Sequence, residues 1–229
     1  MPTYAIGDIH GCNRTFETLL ERLPLQDGDA LILIGDLIDR GPDSKGVIDT
    51  VFRLRRNGHP VTCLRGNHEQ LLLNGLLHPD KIELWLFNGG LQTLESFGVK
   101  HLLGIPERYL NFFQAMPHWY ETQEFLCVHA GLNFTRPNPL DEHYSLLWIR
   151  RWYDDIDYNW LGDRIVLHGH TPLELATIQA QRTNLAANRY LNLDNGCVYA
   201  LRQHDRPDLG RLVAFCLDTR ELIWQNCVD

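Results

Sequence analysis

The sequence is short of the features that mark several protein classes. No apolar run approaches the roughly 20 residues needed to cross a bilayer, and the residues after Met1 lack the basic-then-apolar pattern of an export leader. Basic residues are a minority: 21 Lys and Arg against 29 Asp and Glu give a formal net charge of −8. That balance argues against a general binder of nucleic acid or of a membrane surface. It does not exclude an anionic substrate, because metal ions and arginines can reverse the charge of one cleft. The six cysteines, Cys12, Cys63, Cys127, Cys197, Cys216 and Cys227, contain no C-x-x-C pair. Scattered through apolar surroundings such as residues 125–128, they are expected to be buried structural thiols of a reducing compartment. Internal repeats and low-complexity tracts are missing too. With 44% hydrophobic and 22% charged residues in 229 positions, the chain is expected to form a single domain over 1–229, soluble and cytoplasmic.

What the sequence does hold is an alternation of short apolar runs and helical stripes. Residues 4–9 and 30–34 are apolar runs that each reach a Gly-Asp, and residues 61–64 are a third that leads into Arg65-Gly66-Asn67-His68-Glu69. Between them, 13–23 repeats Phe16, Leu19, Leu20 and Leu23 at helical spacing, with Asn13 as the expected N-cap. Residues 43–57 carry a second stripe, closed by Gly58. Such an order implies parallel strands with right-handed crossovers, whose functional groups collect past the carboxyl ends of the strands. The middle of the chain reads as helices over 69–77, 81–87, 91–97 and 108–116. The second half reads as strands over 119–122, 124–129, 164–168, 176–178, 190–193, 197–202, 211–217 and 222–225, a mostly antiparallel set. Breaks fall at 137–139 and 205–208. Two packed sheets with helices outside are expected: an α/β fold in four layers, α/β/β/α, with two mixed sheets flanked by helices.

Five short blocks place metal-binding side chain types directly after apolar strands. They are Gly7-Asp8-Ile9-His10-Gly11, Gly35-Asp36-Leu37-Ile38-Asp39-Arg40-Gly41, Gly66-Asn67-His68-Glu69, Val128-His129-Ala130-Gly131 and His168-Gly169-His170-Thr171. An Asp-x-His in a loop is more often a solvated turn than a ligand pair. The flanking glycines mark tight turns or close backbone approach, and the ordered set of five carries the weight. Oxygen and imidazole donors without thiolate suit Mn²⁺, Fe or Zn²⁺. His168 and His170 lie two apart on an extended segment and point the same way, so periodicity does not choose between them.

These blocks, in this order, resemble the PPP-type serine/threonine protein phosphatases of the calcineurin-like metallophosphoesterase superfamily, in particular the compact bacterial and phage-lambda-like branch. The similarity extends through Trp85-Leu86-Phe87-Asn88-Gly89-Gly90, Thr93-Leu94, Ser96-Phe97-Gly98, Gly169-His170-Thr171-Pro172 and Leu193-Asp194-Asn195-Gly196, and so over nearly the whole chain. The resemblance implies a metallophosphoesterase sandwich that holds two divalent ions, Mn²⁺ foremost, with Fe or Zn²⁺ as alternatives. Asp8, His10 and Asp36 would hold one ion; Asp36, Asn67, His129 and His170 would hold the second, with Asp36 bridging. The family ligand precedes Thr-Pro, which selects His170 over His168.

Two such ions, roughly 3.5–4 Å apart, can share a water and bring its pKa into the neutral range. The implied reaction is in-line attack of that hydroxide on phosphorus. His68 acts as general acid, Asp39 orients its imidazole, and Arg40 and Arg150 clamp phosphate oxygens, with Arg151 a rival to Arg150. With the two aspartates and a hydroxide, the site keeps a charge of about +1 for the phosphate dianion. Expected partners are phosphorylated proteins or peptides carrying phosphoserine or phosphothreonine, with phosphotyrosine a further class, no nucleic acid and no membrane; a monomer is the default. The rival readings are a symmetrical dinucleoside tetraphosphatase, a small-molecule phosphomonoesterase and a non-catalytic scaffold. The tetraphosphatase branch lacks the aspartate of G-D-x-x-D-R-G and carries Asp after Asn-His, whereas this chain has Asp39 and Glu69. The segment 148–160, rich in tryptophan, tyrosine and aspartate, suits either packed core or a wall of the cleft.

Overall fold

The computed structural model describes residues 1–201 and 206–229. Among the described residues, ten strands form two sheets. The first sheet contains β1 (Thr3–Ile6), β2 (Ala30–Leu33), β3 (Val61–Cys63), β8 (Asp194–Asn195), β9 (Arg211–Cys216) and β10 (Leu222–Asn226), in the order β10-β9-β1-β2-β3 with β8 on β9. β1, β2 and β3 run parallel, as the crossovers demand, with Ile6 opposite Leu33 and Leu33 opposite Cys63. β9 returns antiparallel beside β1. The second sheet is β4 (Trp119–Glu121), β5 (Phe125–Val128), β6 (Ile165–His168) and β7 (Tyr190–Asn192), in that order.

Period-two burial sorts the side chains into layers. Ala5, Ile32, Val213 and Phe215 of the first sheet meet Phe125, Cys127, Ile165 and Leu167 of the second in one buried cluster between the sheets. From the opposite face of the first sheet, Ile6, Leu31 and Leu33 pack under helices. These are α1 (Asn13–Arg22), α2 (Ser44–Arg56), α3 (Asn67–Leu77), α4 (Ile82–Trp85), α5 (Leu91–Phe97) and α6 (Glu107–Gln114). The apolar stripe of α1 buries Phe16 and Leu19 there, and that of α2 buries Val47, Ile48 and Val51. Beyond the second sheet, Leu126, Val128 and Val166 pack against Leu146 of α7 (His143–Trp148), Trp152, and Leu161 of α8 (Tyr158–Leu161). The expected four-layer sandwich is the architecture observed.

Several local expectations are corrected. The second half does not build a mostly antiparallel sheet: β5, β6 and β7 are parallel, and only β4 pairs antiparallel. The antiparallel strands of that half join the first sheet. Residues 176–178 belong to α9 (Leu175–Thr183), which is followed by α10 (Leu185–Asn188). The Ala-Thr-Ile triplet is apolar enough for a strand. It lies inside a nine-residue helix that buries Ile178 and presents Gln181 Oε1 to the backbone N–H of Asn192 at 2.9 Å. Cys197–Leu201 is a short helical turn rather than a strand. It follows Gly196, whose φ of +65° turns the chain away from β8. Arg202 and Asp205 lie outside the described residues. Asn13 is the first helical residue of α1, and Cys12 holds the N-cap position without a side-chain cap.

Candidate metal centre

All five blocks fold just past strand ends, so side chains 162 residues apart in sequence meet. Asp8 follows β1, Asp36 follows β2, Asn67 opens α3 after β3, and His129 follows β5. His168 is the last residue of β6, and His170 lies two residues beyond. Loops that turn this tightly need unusual backbone. Among the described residues, seven non-glycine residues have positive φ, and five of them are His10, Asp36, Asp39, Arg40 and His170. Such conformations cost of order 1–3 kcal/mol each and persist only where the surroundings impose them. Glu69 is one such constraint: its buried carboxylate accepts from the backbone N–H of Asp36 (3.1 Å), Leu37 (2.8 Å) and Gly66 (2.9 Å). It thereby ties the loop after β2 to the start of α3. Gly66 and Gly169 allow close approach. A Cβ on Gly66 would collide with Asp36 Oδ1, and one on Gly169 with Asp8 Oδ1.

Two groups of metal-ligand type share one residue. His10, Asp36 and His68 offer ligand atoms within 4.8 Å of one another, and so do Asp36, His129 and His170. Asp36 lies in both, with Oδ2 at 3.4 Å from His10 Nε2 and Oδ1 at 3.5 Å from His129 Nε2. Asn67 Oδ1 sits 3.0 Å from His129 Nε2 and 2.8 Å from His170 Nδ1. Asp8 closes the other side, accepting from the His170 backbone N–H at 3.1 Å. Ring orientation is set from behind: Ile38 O holds His10 Nδ1 (3.0 Å) and Ile34 O holds His129 Nδ1 (2.9 Å). Backbone carbonyls at that position select the tautomer with Nε2 free to ligate. His168 lies apart from these groups, with Nε2 at 3.0 Å from the Tyr153 hydroxyl and its ring against Trp152.

The donor set suits cations. Asp8, Asp36, Glu69 and Asp194 are all buried within this shell. Burial, with the charges of Asp194 and Asp36, pushes Asp8 well above the ordinary carboxylate range. Burial and the Asp36 charge push Glu69 and Asp194 up to about 7. Burial also lowers the histidines, His170 to about 3 and His10 and His129 below their usual value, so they stand as neutral imidazoles, the form that binds metal. The ring atom His170 Nε2 is buried with no hydrogen-bond partner among the described residues. Crowded buried carboxylates among neutral imidazoles are what divalent ions relieve.

Around the cleft stand the groups that would meet a phosphate. His68 is buried, with Nδ1 at 2.8 Å from Asp39 Oδ2 and Nε2 at 4.0 Å from Asp36 Oδ2. Arg40 donates from Nη1 to His10 Nε2 at 2.8 Å, and its backbone N–H donates to Gly89 O at 3.2 Å. Arg150 reaches Thr171 Oγ1 at 3.5 Å, and its charge acts on His170 and Asp194. Arg150 thus has contacts on the side of the cleft where His170 and Asp194 lie. Aromatic residues of the 148–160 segment divide between the two expected roles: Trp152 is core, whereas Trp148 stands with its ring 6.2 Å from that of His170. Sequence reasoning missed Asp194 as part of this shell. It also missed Trp85 and Thr93, which donate to Asp39. All three sit inside motifs that had carried only the family resemblance.

Beside the centre opens a groove of about 750 Å³ lined by Arg65, Gln70, Asn74, Lys81, Tyr144 and Trp148 among others. Among the described residues no helix is long and apolar enough to cross a membrane.

Comparison with known proteins agrees with this geometry. The profile described as calcineurin-like phosphoesterase matches residues 1–209. The chain is 30% identical over 137 residues to a symmetrical bis(5'-nucleosyl)-tetraphosphatase of Pseudomonas putida, covering 58% of this chain and 43% of that protein. It is 44% identical over 93 residues to serine/threonine-protein phosphatase 1 of Salmonella typhimurium, covering 38% of each. Both alignments thus span less than half of the relative. Among solved structures, a candidate diadenosine tetraphosphatase superposes with a TM-score of 0.67 at 23% identity, over 98% of this chain and 93% of that one.

Proposed function

The chain belongs to the calcineurin-like phosphoesterase family, and from that premise we propose that it is a phosphoprotein phosphatase acting on phosphoserine and phosphothreonine, with phosphotyrosine a further class. Metal-dependent phosphoester hydrolysis comes with the family; the choice of substrate rests on the Asp39–His68 pair. In this reading Asp8, His10 and Asp36 hold one divalent ion, and Asp36, Asn67, His129 and His170 hold the other, with Mn²⁺ the best-suited metal. Bound there, the ions supply Lewis acidity and a water nucleophile at neutral pH. Arg40 and Arg150 bind equatorial phosphate oxygens and orient phosphorus for in-line attack. The P–O bond to the side-chain oxygen breaks, and His68 Nε2 gives its proton to that oxygen. Asp39 accepts from Trp85 Nε1 (3.0 Å) and Thr93 Oγ1 (2.6 Å) as well as facing His68 Nδ1. A carboxylate held by three donors keeps the proton on Nδ1 and aims Nε2 into the cleft.

The leaving group explains why this pair favours a monoester of an alcohol. A serine or threonine alkoxide is strongly basic and leaves poorly without a proton. The phosphate end of a dinucleoside polyphosphate departs as a stabilised anion and needs the acid far less. A second reading, dinucleoside tetraphosphate hydrolysis, draws support from the adjoining groove, where Tyr144 and Trp148 stack at 6.3 Å and could receive a nucleobase. Relatives bearing that activity in their names add to it. Mn²⁺-loaded protein offered phosphoserine peptide, p-nitrophenyl phosphate and diadenosine tetraphosphate separates the readings. The phosphatase reading expects the peptide to be preferred and His68→Asn to lower its kcat by roughly 10²–10⁴-fold. A strong preference for the dinucleotide, or an unchanged peptide rate in the variant, overturns it.

A further inference from the structure

Three of the six cysteines are not scattered. Cys12 at the N-terminus of α1, Cys197 after β8 and Cys227 after β10 bring their sulfurs within 4.8 Å of one another. Each comes from a different segment, and all are free thiols. Cys12 and Cys197 are buried, while Cys227 is partly exposed. Buried thiols often serve as small apolar fillers; Cys63 and Cys127 stand in hydrophobic clusters on strands, and Cys12 and Cys197 also belong to a hydrophobic cluster, with Cys227 packed against it. The trio differs because its sulfurs face one another and not only aliphatic carbon.

We propose that Cys12, Cys197 and Cys227 form a second metal site, a trithiolate that takes a soft d¹⁰ ion of the Zn²⁺ class. Tetrahedral zinc with bonds of about 2.3 Å holds its sulfurs roughly 3.8 Å apart, a spacing this trio reaches by small side-chain adjustment. The exposed side of Cys227 gives an entry path and room for a water as fourth ligand. Polar support surrounds the trio. Asp229 accepts from the backbone N–H of Arg14 and Thr15 and from the Thr15 hydroxyl, and Val228 N donates to Thr15 Oγ1. These bonds pin the chain end that carries Cys227 to the start of α1, whose positive dipole end favours thiolate charge.

The two centres differ in ligand softness. The carboxylate–imidazole centre takes hard and borderline ions, whereas three thiolates select soft ones. Binding would replace the thiol protons and clamp together the His10–Cys12 loop, the turn after β8 and the end of β10.

Cadmium is the probe, because only sulfur ligation yields ultraviolet thiolate-to-metal charge-transfer absorption. Fully reduced, full-length protein preloaded with Mn²⁺ is titrated with Cd²⁺, and native thiol reactivity is counted in parallel. The proposal expects absorption that saturates at one Cd²⁺ per chain and protection of three thiols. Cys227→Ser and Cys227→Ala, at the partly exposed position, should weaken that binding at least 10-fold with unchanged circular dichroism. Absence of a saturable band in the wild-type protein overturns the site. So does an undiminished band in both variants. Formation of an intramolecular disulfide in this trio on mild oxidation, without Cd²⁺ affinity in the reduced protein, overturns it in favour of a redox pair.

Discussion

Asp39 Oδ2 lies 2.8 Å from His68 Nδ1, and both side chains are fully buried, 29 residues apart in sequence. The carboxylate is itself fixed by Trp85 and Thr93. Asp39→Asn removes the anion that holds the tautomer but keeps the side-chain size. It should lower kcat on phosphoserine peptide by about 10–100-fold and on p-nitrophenyl phosphate, with its better leaving group, much less. Equal losses on both substrates would show that Asp39 serves the fold and not proton delivery.

His168 and His170 are separated by a metal count. His170→Ala should lose one of two bound ions per chain. His168→Ala should keep both and lose about 1–3 kcal/mol of stability from the broken Tyr153 contact. Elemental analysis beside a denaturant titration reads both effects, and the reverse pattern would reassign the ligand.

Gly169→Ala places a methyl group against Asp8 Oδ1. Because Asp8 and the His170 backbone are hydrogen-bonded, the strain falls on both sides of the centre. A stability loss of about 1–3 kcal/mol with weakened Mn²⁺ affinity is expected, measured by thermal melting and metal titration. Unaltered affinity would mean that the loop yields freely.

Chelated protein should become less stable as pH rises from about 6.5 to 8. Burial raises Glu69 and Asp194 to about 7, and Asp8 is raised as well. A carboxyl group with a raised folded pKa binds more protons folded than unfolded, so its contribution is present at low pH and fades as pH passes through the folded value. Depressed histidines such as His168 and His170, both at about 3, act in the opposite sense. Their effect ends near the ordinary histidine pKa of about 6.5, above which they are neutral in both states. Melting curves with and without Mn²⁺ check this: the metal-loaded protein should show little of the decline, and a chelated protein whose Tm rises over that interval would contradict the account.

Tyr144→Ala and Trp148→Ala test what the groove receives. If a nucleobase stacks there, KM for diadenosine tetraphosphate should rise by about 5–150-fold, from the roughly 1–3 kcal/mol that base stacking on an aromatic contributes. KM for p-nitrophenyl phosphate should not change. A peptide substrate whose KM rises instead assigns the groove to protein.

The fold was legible where pattern is local. Phe16 and Leu19 announced α1, and Val47, Ile48 and Val51 announced α2, because a helical stripe is written every three or four residues. Where two structures share one local pattern, the sequence misled. Residues 176–178 are apolar and β-branched in part, yet the surrounding nine residues hydrogen-bond as helix and use Gln181 to meet β7. Residues 197–202 read as a strand, but Gly196 turns the chain before pairing can continue. The antiparallel strands of the second half were legible as strands. Their assignment to the first sheet was not, since it depends on β9 lying beside β1.

The sequence alone determined the kinds of groups available and their place at strand ends, because a motif of three to seven residues sets its own turn and its own distance from the preceding strand. It also determined the layer pattern, through period-two and helical spacing of apolar side chains. Only the tertiary structure decided which groups meet. Asp36 falls into both histidine groups, and His170 and not His168 joins them. Asp194 closes the buried acidic shell, and Cys12, Cys197 and Cys227 converge. Each of these rests on distances between segments tens to hundreds of residues apart, which the packing of two sheets sets and no local periodicity encodes.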